Sequence, residues 1–207
     1  MVREGRWLGF SPTLLLGREL SGATLGVLGL GRIGRAVAKL GVAFGMRCIA
    51  TSGGSLAVGE RAHGAEIVTR DTLLRESDVL TIHCPSIPAT RHAIDARALS
   101  KMKRGALLVN TARGAIVDEA ALAEALASGH LGGAGLDVFE DEPHVPAALL
   151  EAPNAVVLPH VGSATWTARR AMASLAFDDV ARVLRGERPL HPVNDPSDRL
   201  PFRSDQR

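Results

Sequence analysis

The sequence is poor in aromatic residues and contains no tyrosine. Aromatic side chains make up only 3% of its 207 residues, so aliphatic and alanine side chains must build the interior. A surface that stacks nucleobases on aromatic rings is therefore not expected. The formal net charge is only +2, and the basic residues are scattered, whereas a nucleic-acid surface needs them clustered. We expect no nucleic acid among the partners.

Cysteine is also scarce, and long apolar runs are missing. Cys48 and Cys84 both lie in apolar segments, as reduced core residues of a cytoplasmic protein do. No stretch approaches the ~18 apolar residues that a membrane-spanning helix needs, and no signal peptide is evident. Cysteine, histidine and carboxylate residues do not occur at metal-ligand spacing. The sequence thus predicts a cytoplasmic protein with no membrane partner and no metal.

The sequence is rich instead in short apolar runs that alternate with helix-like segments. Several runs are continuously apolar, which is typical of strands covered on both faces. The alternation predicts an α/β fold with a doubly wound parallel sheet, a Rossmann-like dinucleotide-binding domain. Strands are predicted at 24–30, 47–51, 66–68, 79–83, 106–110, 133–138 and 155–158, and helices at 32–44, 72–76, 96–101, 119–127 and 165–186.

A glycine-rich turn lies between the first predicted strand and the first predicted helix. Gly29, Gly31 and Gly34 match the pattern G-x-G-x-x-G in the required strand–turn–helix context. The first glycine allows the tight turn, the second lets a pyrophosphate approach, and the third lets the helix pack closely on the strand. Backbone N–H groups at the helix start would then hold the phosphates. This segment predicts dinucleotide binding.

The end of the second predicted strand lacks a feature that selects NAD. An aspartate or glutamate is expected there to bind the ribose hydroxyls, but the sequence reads CIATSGGS. Without that carboxylate a 2′-phosphate is not repelled, and the hydroxyls of Thr51, Ser52 and Ser55 could bind it. The cofactor is therefore predicted to be NAD(H) or NADP(H), with neither favoured.

Three polar residues follow apolar runs and are predicted to meet at one rim of the sheet, where parallel strands end. Arg113 follows LLVNTA, Glu142 follows AGLDVFED and His160 follows VVLP. Each alone is more typical of a surface or packing residue, but together they have compatible chemistry. A neighbouring carboxylate favours the imidazolium form of a histidine, so His160 can act as acid in reduction and base in oxidation. The planar fork of Arg113 suits a substrate carboxylate.

The remaining candidate residues are given structural roles. His83 and Cys84 are expected to pack near the cofactor, and Asp118 is expected to cap the helix that follows it. The other histidines have no strand-end or carboxylate context, and the surface is predicted for them: His63, His92, His130, His144 and His191.

Five ordered motifs resemble those of the D-isomer-specific 2-hydroxyacid dehydrogenase family, particularly its glyoxylate/hydroxypyruvate reductase branch. They are GLGRIGRAVA, HCPSIPATRHAI, MKRGALLVNTARGAIVDEAAL, GAGLDVFEDEP and LPHVGSAT. The resemblance implies NAD(P)-dependent reduction of a small 2-oxoacid, such as glyoxylate or hydroxypyruvate, to the 2-hydroxy acid. It implies that Arg113 binds substrate, that Glu142 orients the histidine and that His160 is the catalytic acid/base. The cofactor contacts that it implies are Arg32, Ile33, Pro85, Thr111, Asp137, His160 and Gly162.

The resemblance also predicts how the chain is divided. Residues 1–22 are expected to form the end of an interdomain helix and an arm that embraces a second subunit, which predicts a homodimer. Residues 23–165 would form the dinucleotide-binding domain, and residues 166–207 a C-terminal helix and tail. The substrate lobe with which family members begin is not found in the sequence.

Two functions remain open at this stage. The first is an oxidoreductase, which is either complete enough for turnover or was assigned a start codon downstream of the true one. The second is a truncated, non-catalytic dinucleotide-binding module. The three intact catalytic positions favour the oxidoreductase. In-frame coding sequence upstream of Met1 would support the late start codon, and a stop codon there would support the truncated module.

Overall fold

The structure, a computed structural model, describes residues 1–193. Backbone contacts divide the chain into a unit that runs from Met1 to His160 and a second unit that begins at Val161. The part of the predicted C-terminal tail that follows residue 193 lies outside the described residues. Within the described range, no helix is long and apolar enough to cross a membrane.

The first unit is built around one eight-stranded sheet. The strands are β1 (Thr24–Leu28), β2 (Arg47–Thr51), β3 (Arg61–Ala62), β4 (Ala65–Ile67), β5 (Val79–Ile82), β6 (Leu107–Asn110), β7 (Gly133–Leu136) and β8 (Ala155–Val157). Their spatial order is β3-β4-β2-β1-β5-β6-β7-β8, and every neighbouring pair is parallel except β3 and β4. The predicted doubly wound parallel sheet is confirmed.

The helices of the first unit connect its strands, and three of these helices begin at a capping side chain. Thr69, Asp95 and Asp118 each accept a hydrogen bond from a backbone N–H in the first turn of the following helix, which satisfies one of the free donors there. The cap predicted at Asp118 is thus confirmed. The helices of the first unit are α1 (Arg32–Ala43), α2 (Arg70–Glu76), α3 (Ala96–Lys101), α4 (Glu119–Ala127) and α5 (Ala147–Leu150), and the second unit contains α6 (Trp166–Leu184).

Alternate residues of the strands pack into two separate hydrophobic cores, one on each face of the sheet. In β2, Ile49 packs into one core, while Cys48 and Ala50 pack into the other. This follows from the two-residue period of a strand and explains why the strand sequences are continuously apolar. Both cysteines are free thiols, and burial raises the pKa of Cys48 and of Cys84.

Two short elements differ from the sequence prediction. β3 has only two residues, one of them the exposed Arg61, and pairs antiparallel with β4. α5 is a four-residue helix that follows Pro146. Neither is long enough to show an apolar period, so tertiary packing decides both.

Residues 1–22 were predicted to include the end of a helix, but in the structure they contain only turns, a bend and backbone without regular secondary structure. Several of its large apolar side chains are exposed. Leu8 is 99% and Phe10 90% accessible to solvent. Just before β1, Gly22 N–H donates a hydrogen bond to the carbonyl of Gly45, which lies between α1 and β2.

The chain reverses its direction of travel across the sheet between β1 and β5. From β1 it moves through β2 to β4, and then returns to place β5 on the other side of β1. A crevice forms beyond the carboxyl ends of strands at such a switch point, and nucleotides bind there in doubly wound sheets. The predicted glycine turn follows β1 at this position.

Candidate functional site

The glycine turn after β1 depends on the absence of side chains at two positions. Gly29 has φ +99°, and a Cβ there would lie 2.7 Å from the backbone nitrogen of Cys84, which follows β5. A Cβ on Gly34 would overlap the carbonyl oxygen of Gly29. The turn therefore passes close to the end of β5 on one side and to the first turn of α1 on the other.

Gly31 differs from these two glycines because the space beside it is open. A Cβ at this position would meet no atom within 4 Å, and no side chain caps the N-terminus of α1 at Gly31. The N–H groups of a first helical turn attract anions. Arg32 and Ile33 lie in that turn and are exposed. These features fit the pyrophosphate of a dinucleotide, which would approach over Gly31.

The hydroxyls at the end of β2 are already used by the protein. Thr51 Oγ1 accepts a hydrogen bond of 3.2 Å from Gly29 N–H, which ties the glycine turn to β2. The Ser52 hydroxyl donates to the Leu56 carbonyl (2.9 Å) and accepts from Leu56 N–H (3.1 Å). Ser55 donates to the Ser52 carbonyl. Of the three hydroxyls predicted to bind a 2′-phosphate, those of Ser52 and Ser55 thus close a small loop, and no carboxylate stands at the end of the strand.

Glu142 and His160 form a hydrogen-bonded pair at the carboxyl-end rim of the sheet. His160 Nδ1 lies 2.8 Å from Glu142 Oε2, and the other carboxylate oxygen accepts from Phe139 N–H at 3.0 Å. The hydrogen bond with His160, then the one from Phe139 and the charge of Arg113, hold the pKa of Glu142 below its usual range. His160 has φ +52°, and its N–H donates to the Asp137 carbonyl (2.9 Å). The backbone thus fixes both partners.

Arg113 stands on a turn that the side chain of Asn110 shapes. Asn110 is 1% exposed; its carboxamide accepts from Ala112 N–H (3.1 Å) and donates to the Arg113 carbonyl (3.0 Å). The Arg113 side chain is exposed and donates to the Ala112 carbonyl. Its charge contributes to the lowered pKa of Glu142, so Arg113 lies near the Glu142–His160 pair, although it forms no ion pair with either residue among the contacts described in residues 1–193. Asn110 was missed as a shaping residue, although it is the polar end of a buried strand.

The other predicted cofactor contacts occupy different parts of the structure. Asp137 is 4% exposed, and its backbone links the ends of β6 and β8 through Asn110 and His160. Pro85 follows β5, Thr111 follows β6, and both are exposed. Gly162 belongs to the second unit. His83 hydrogen bonds to Thr81, and burial lowers its pKa, as a packing role requires.

An apolar cavity lies beside the Glu142–His160 pair within the first unit. Its volume is about 320 Å³. Phe139, Val145 and Val157 contribute apolar walls, and Glu142 and His160 form part of the lining. The pair itself remains accessible to solvent, with 49% of the His160 side chain and 36% of the Glu142 side chain exposed.

A second histidine–glutamate pair was missed by the sequence analysis. His92 Nε2 lies 2.9 Å from Glu140 Oε2, and Arg91 contacts the other oxygen at 2.5 Å. His92 is only partly exposed, as is His130, which bonds to the Leu99 carbonyl. Both histidines therefore keep part of their surface accessible, and the sequence analysis missed the hydrogen-bond partner of each. The partner of His92 lies 48 residues away, so no local pattern could reveal it.

Comparisons with known proteins show which family has this sequence and fold. Residues 1–162 match the model of the D-isomer specific 2-hydroxyacid dehydrogenase, NAD binding domain. A glyoxylate reductase from Thermococcus litoralis is 45% identical over 197 residues. The crystal structure of a glyoxylate reductase from Paecilomyes thermophila has a TM-score of 0.83 and 40% identity, and covers 96% of this chain. That of the D-lactate dehydrogenase with NAD+ from Lactobacillus jensenii has a TM-score of 0.78 and 31% identity, and covers 93%.

The fold and the match together define an NAD-binding domain of a dehydrogenase. The chain belongs to the D-isomer specific 2-hydroxyacid dehydrogenase family. The match covers 93% of this chain but 60% of the Thermococcus litoralis relative. The match covers 58% of the glyoxylate reductase structure and 61% of the D-lactate dehydrogenase structure. The chain thus spans about 60% of the length of these relatives.

Proposed function

We propose that the protein is an NAD(P)-dependent oxidoreductase that reduces a small 2-oxoacid, such as glyoxylate or hydroxypyruvate, to the 2-hydroxy acid. The hydrogen bond between His160 Nδ1 and Glu142 Oε2, with Arg113 close enough to act on the same carboxylate, carries the proposal. Similarity to glyoxylate reductases supports the substrate class.

The three residues have separate tasks in the proposed reaction. The nicotinamide, when bound, supplies the hydride that reduces the substrate carbonyl. Glu142 accepts from His160 Nδ1, so the opposite ring nitrogen holds the proton that passes to the carbonyl oxygen. In the oxidation direction the same nitrogen takes the proton from the hydroxyl group. Arg113 binds the substrate carboxylate with the donors of its guanidinium and polarises the adjacent carbonyl.

The proposed coenzyme is NAD(H) or NADP(H). Backbone N–H groups at the start of α1 would hold the pyrophosphate, with Gly31 leaving room for it. Asp137 would contact the nicotinamide amide, and Pro85, Thr111 and Gly162 would line the cleft. Because the end of β2 carries no carboxylate, nothing there repels a 2′-phosphate.

We also propose that the protein is a cytoplasmic homodimer whose subunits are joined by the arm in residues 1–22. The exposure of Leu8 and Phe10 supports an apolar partner surface. Light scattering on the purified chain tests the dimer. The double variant Leu8→Arg/Phe10→Arg should be monomeric, and an unchanged mass would contradict the role given to the arm.

Steady-state oxidation of NADPH and NADH by the purified chain, with glyoxylate and hydroxypyruvate as acceptors, tests the proposed function. We expect His160→Gln to reduce kcat by about 10²- to 10⁴-fold, and Arg113→Ala to abolish substrate reduction, while both variants still bind NADH. Arg113→Lys is the matched control, since it keeps the charge without the planar fork.

Turnover that survives in His160→Gln would overturn the proposed acid/base. A folded chain that binds coenzyme but turns over neither acceptor would support the alternative function, a non-catalytic dinucleotide-binding module. Equal rates for Arg113→Ala and the unmodified chain would remove the role assigned to Arg113.

A further inference from the structure

The loop that carries Glu142 is anchored at a residue two positions earlier. Glu140 N–H donates a hydrogen bond of 2.7 Å to Glu119 Oε1, which belongs to the first turn of α4. The Glu140 carboxylate pairs with His92 and Arg91, and these contacts, led by the hydrogen bond with His92, hold its pKa below the usual value. The loop is therefore fixed from two separate segments of the chain.

The loop that carries Glu142, and the His92 that pairs with it, also contact the turn that carries Arg113. A Cβ on Gly114 would overlap the backbone of Phe139 and Glu140. His92 N–H in addition donates to the Ala115 carbonyl at 2.8 Å. A shift of Phe139 and Glu140 would therefore disturb both the Arg113 turn and the position of Glu142.

Phe139 connects Glu140 to the Glu142–His160 pair. Phe139 N–H, next to Glu140 in the chain, donates to Glu142 Oε1, and Glu142 Oε2 bonds to His160. Glu119 is partly buried, and burial raises its pKa. A carboxyl oxygen accepts a hydrogen bond whether or not the group is ionised, so the contact with Glu140 requires reach rather than charge.

We propose that Glu119 is a positioning residue: by holding Glu140 N–H it sets the place of Phe139 N–H and thus the hydrogen bond between Glu142 and His160. This inference rests on the proposed function for its effect on catalysis. Its effect on Glu142 does not depend on turnover. Because Asp118 already caps α4, the carboxylate of Glu119 is not needed as the helix cap.

Two substitutions distinguish the effect of the length of the Glu119 side chain from the effect of its charge. Glu119→Gln keeps an acceptor at the same distance and removes the charge. Glu119→Asp keeps a negative charge, which stabilises the start of a helix, but its side chain is one methylene shorter and falls short of Glu140 N–H. Glu119→Ala removes both, and it supplements the pair if it folds.

The readout is the titration of the Glu142 carboxyl carbon by NMR in a chain labelled at glutamate side chains, with Glu142→Gln to assign the signal. We expect the pKa of Glu142 to rise toward its ordinary value in Glu119→Asp and to stay low in Glu119→Gln. His160→Gln shows the effect of losing the imidazole partner. In turnover assays, Glu119→Asp should lower kcat by roughly tenfold to a hundredfold, with little change in KM for the oxoacid.

The outcomes distinguish this inference from the proposed function. An unchanged Glu142 titration in Glu119→Asp, or a rise in Glu119→Gln as large as in Glu119→Asp, would overturn the positioning role even if the enzyme is active. The expected titration pattern in a chain without turnover would support the positioning role and count against the proposed function.

Discussion

Replacing Gly31 with serine should separate stability of the fold from dinucleotide binding. Gly31 is the N-cap residue of α1, with φ −74° and ψ −166°, and no side chain caps the helix. A Cβ there meets no protein atom within 4 Å, so the substitution introduces no clash. Serine is a preferred N-cap residue because its hydroxyl accepts from a backbone N–H two or three residues on.

The two expected effects have opposite signs. Serine in place of glycine at an N-cap is worth a few tenths of a kcal/mol to stability. The same hydroxyl would compete with the pyrophosphate for N–H donors and fill the space through which it approaches. The loss of two charge-assisted hydrogen bonds, at about 1.5 kcal/mol each, corresponds to roughly a hundredfold increase in the Kd for NADH.

Fluorescence titration with NADH and thermal unfolding measured on the same samples provide the test. Gly34→Ala is the matched control, because its Cβ would overlap the Gly29 carbonyl oxygen and should cost about 1–3 kcal/mol of stability as well as affinity. If Gly31→Ser binds NADH as tightly as the unmodified chain, the pyrophosphate does not lie over Gly31, and the reasoning from the open space fails.

Two further predictions concern the coenzyme and pH. Ser52→Asp should raise the affinity ratio of NADH over NADPH by about tenfold or more, since the carboxylate repels a 2′-phosphate; Ser52→Ala controls for loss of the bonds to Leu56, and an equal ratio in both variants would contradict the idea. Burial alone would raise the pKa of Asp78, but hydrogen bonds from Lys103 and Thr24 N–H lower it overall, so its stabilisation is present above the unfolded pKa and disappears as pH falls through the folded pKa. Asp78→Asn should therefore cost about 1–2 kcal/mol in denaturant unfolding at neutral pH, and a deficit that persists in acid would contradict this sign.

The fold could be predicted because its information is local. A continuously apolar strand, a glycine turn and a helix with a capping aspartate each depend on a few adjacent residues, and β2, α3 and α4 have the predicted bounds. β3 was missed because it exists only by pairing with β4. The three catalytic candidates could be grouped because they follow parallel strands, whose carboxyl ends share one edge.

The use of individual hydroxyl and carboxylate groups could not be predicted in this way. Ser52 follows a strand at the position where a ribose partner is expected, yet its hydroxyl closes its own loop through Leu56. That outcome depends on the left-handed backbone of Gly53 and Gly54. Glu119 resembles an ordinary residue of a first helical turn, and its bond to Glu140 depends on how β6 and β7 are aligned.

The site combines a hydrogen-bonded pair that the backbone holds in place with an arginine side chain that is not held in this way. Glu142 and His160 are held by backbone groups of Phe139 and Asp137, so their geometry is set within the first unit before any ligand binds. The backbone of Arg113 is fixed, but its side chain is exposed. Within residues 1–193, the guanidinium donates a hydrogen bond only to the Ala112 carbonyl of its own turn. Positioning of the proposed proton donor is therefore built into the sheet, whereas the guanidinium can adjust when it binds the proposed substrate carboxylate. Proton transfer benefits from such preorganisation, and substrate capture can tolerate the adjustment because its cost appears in affinity.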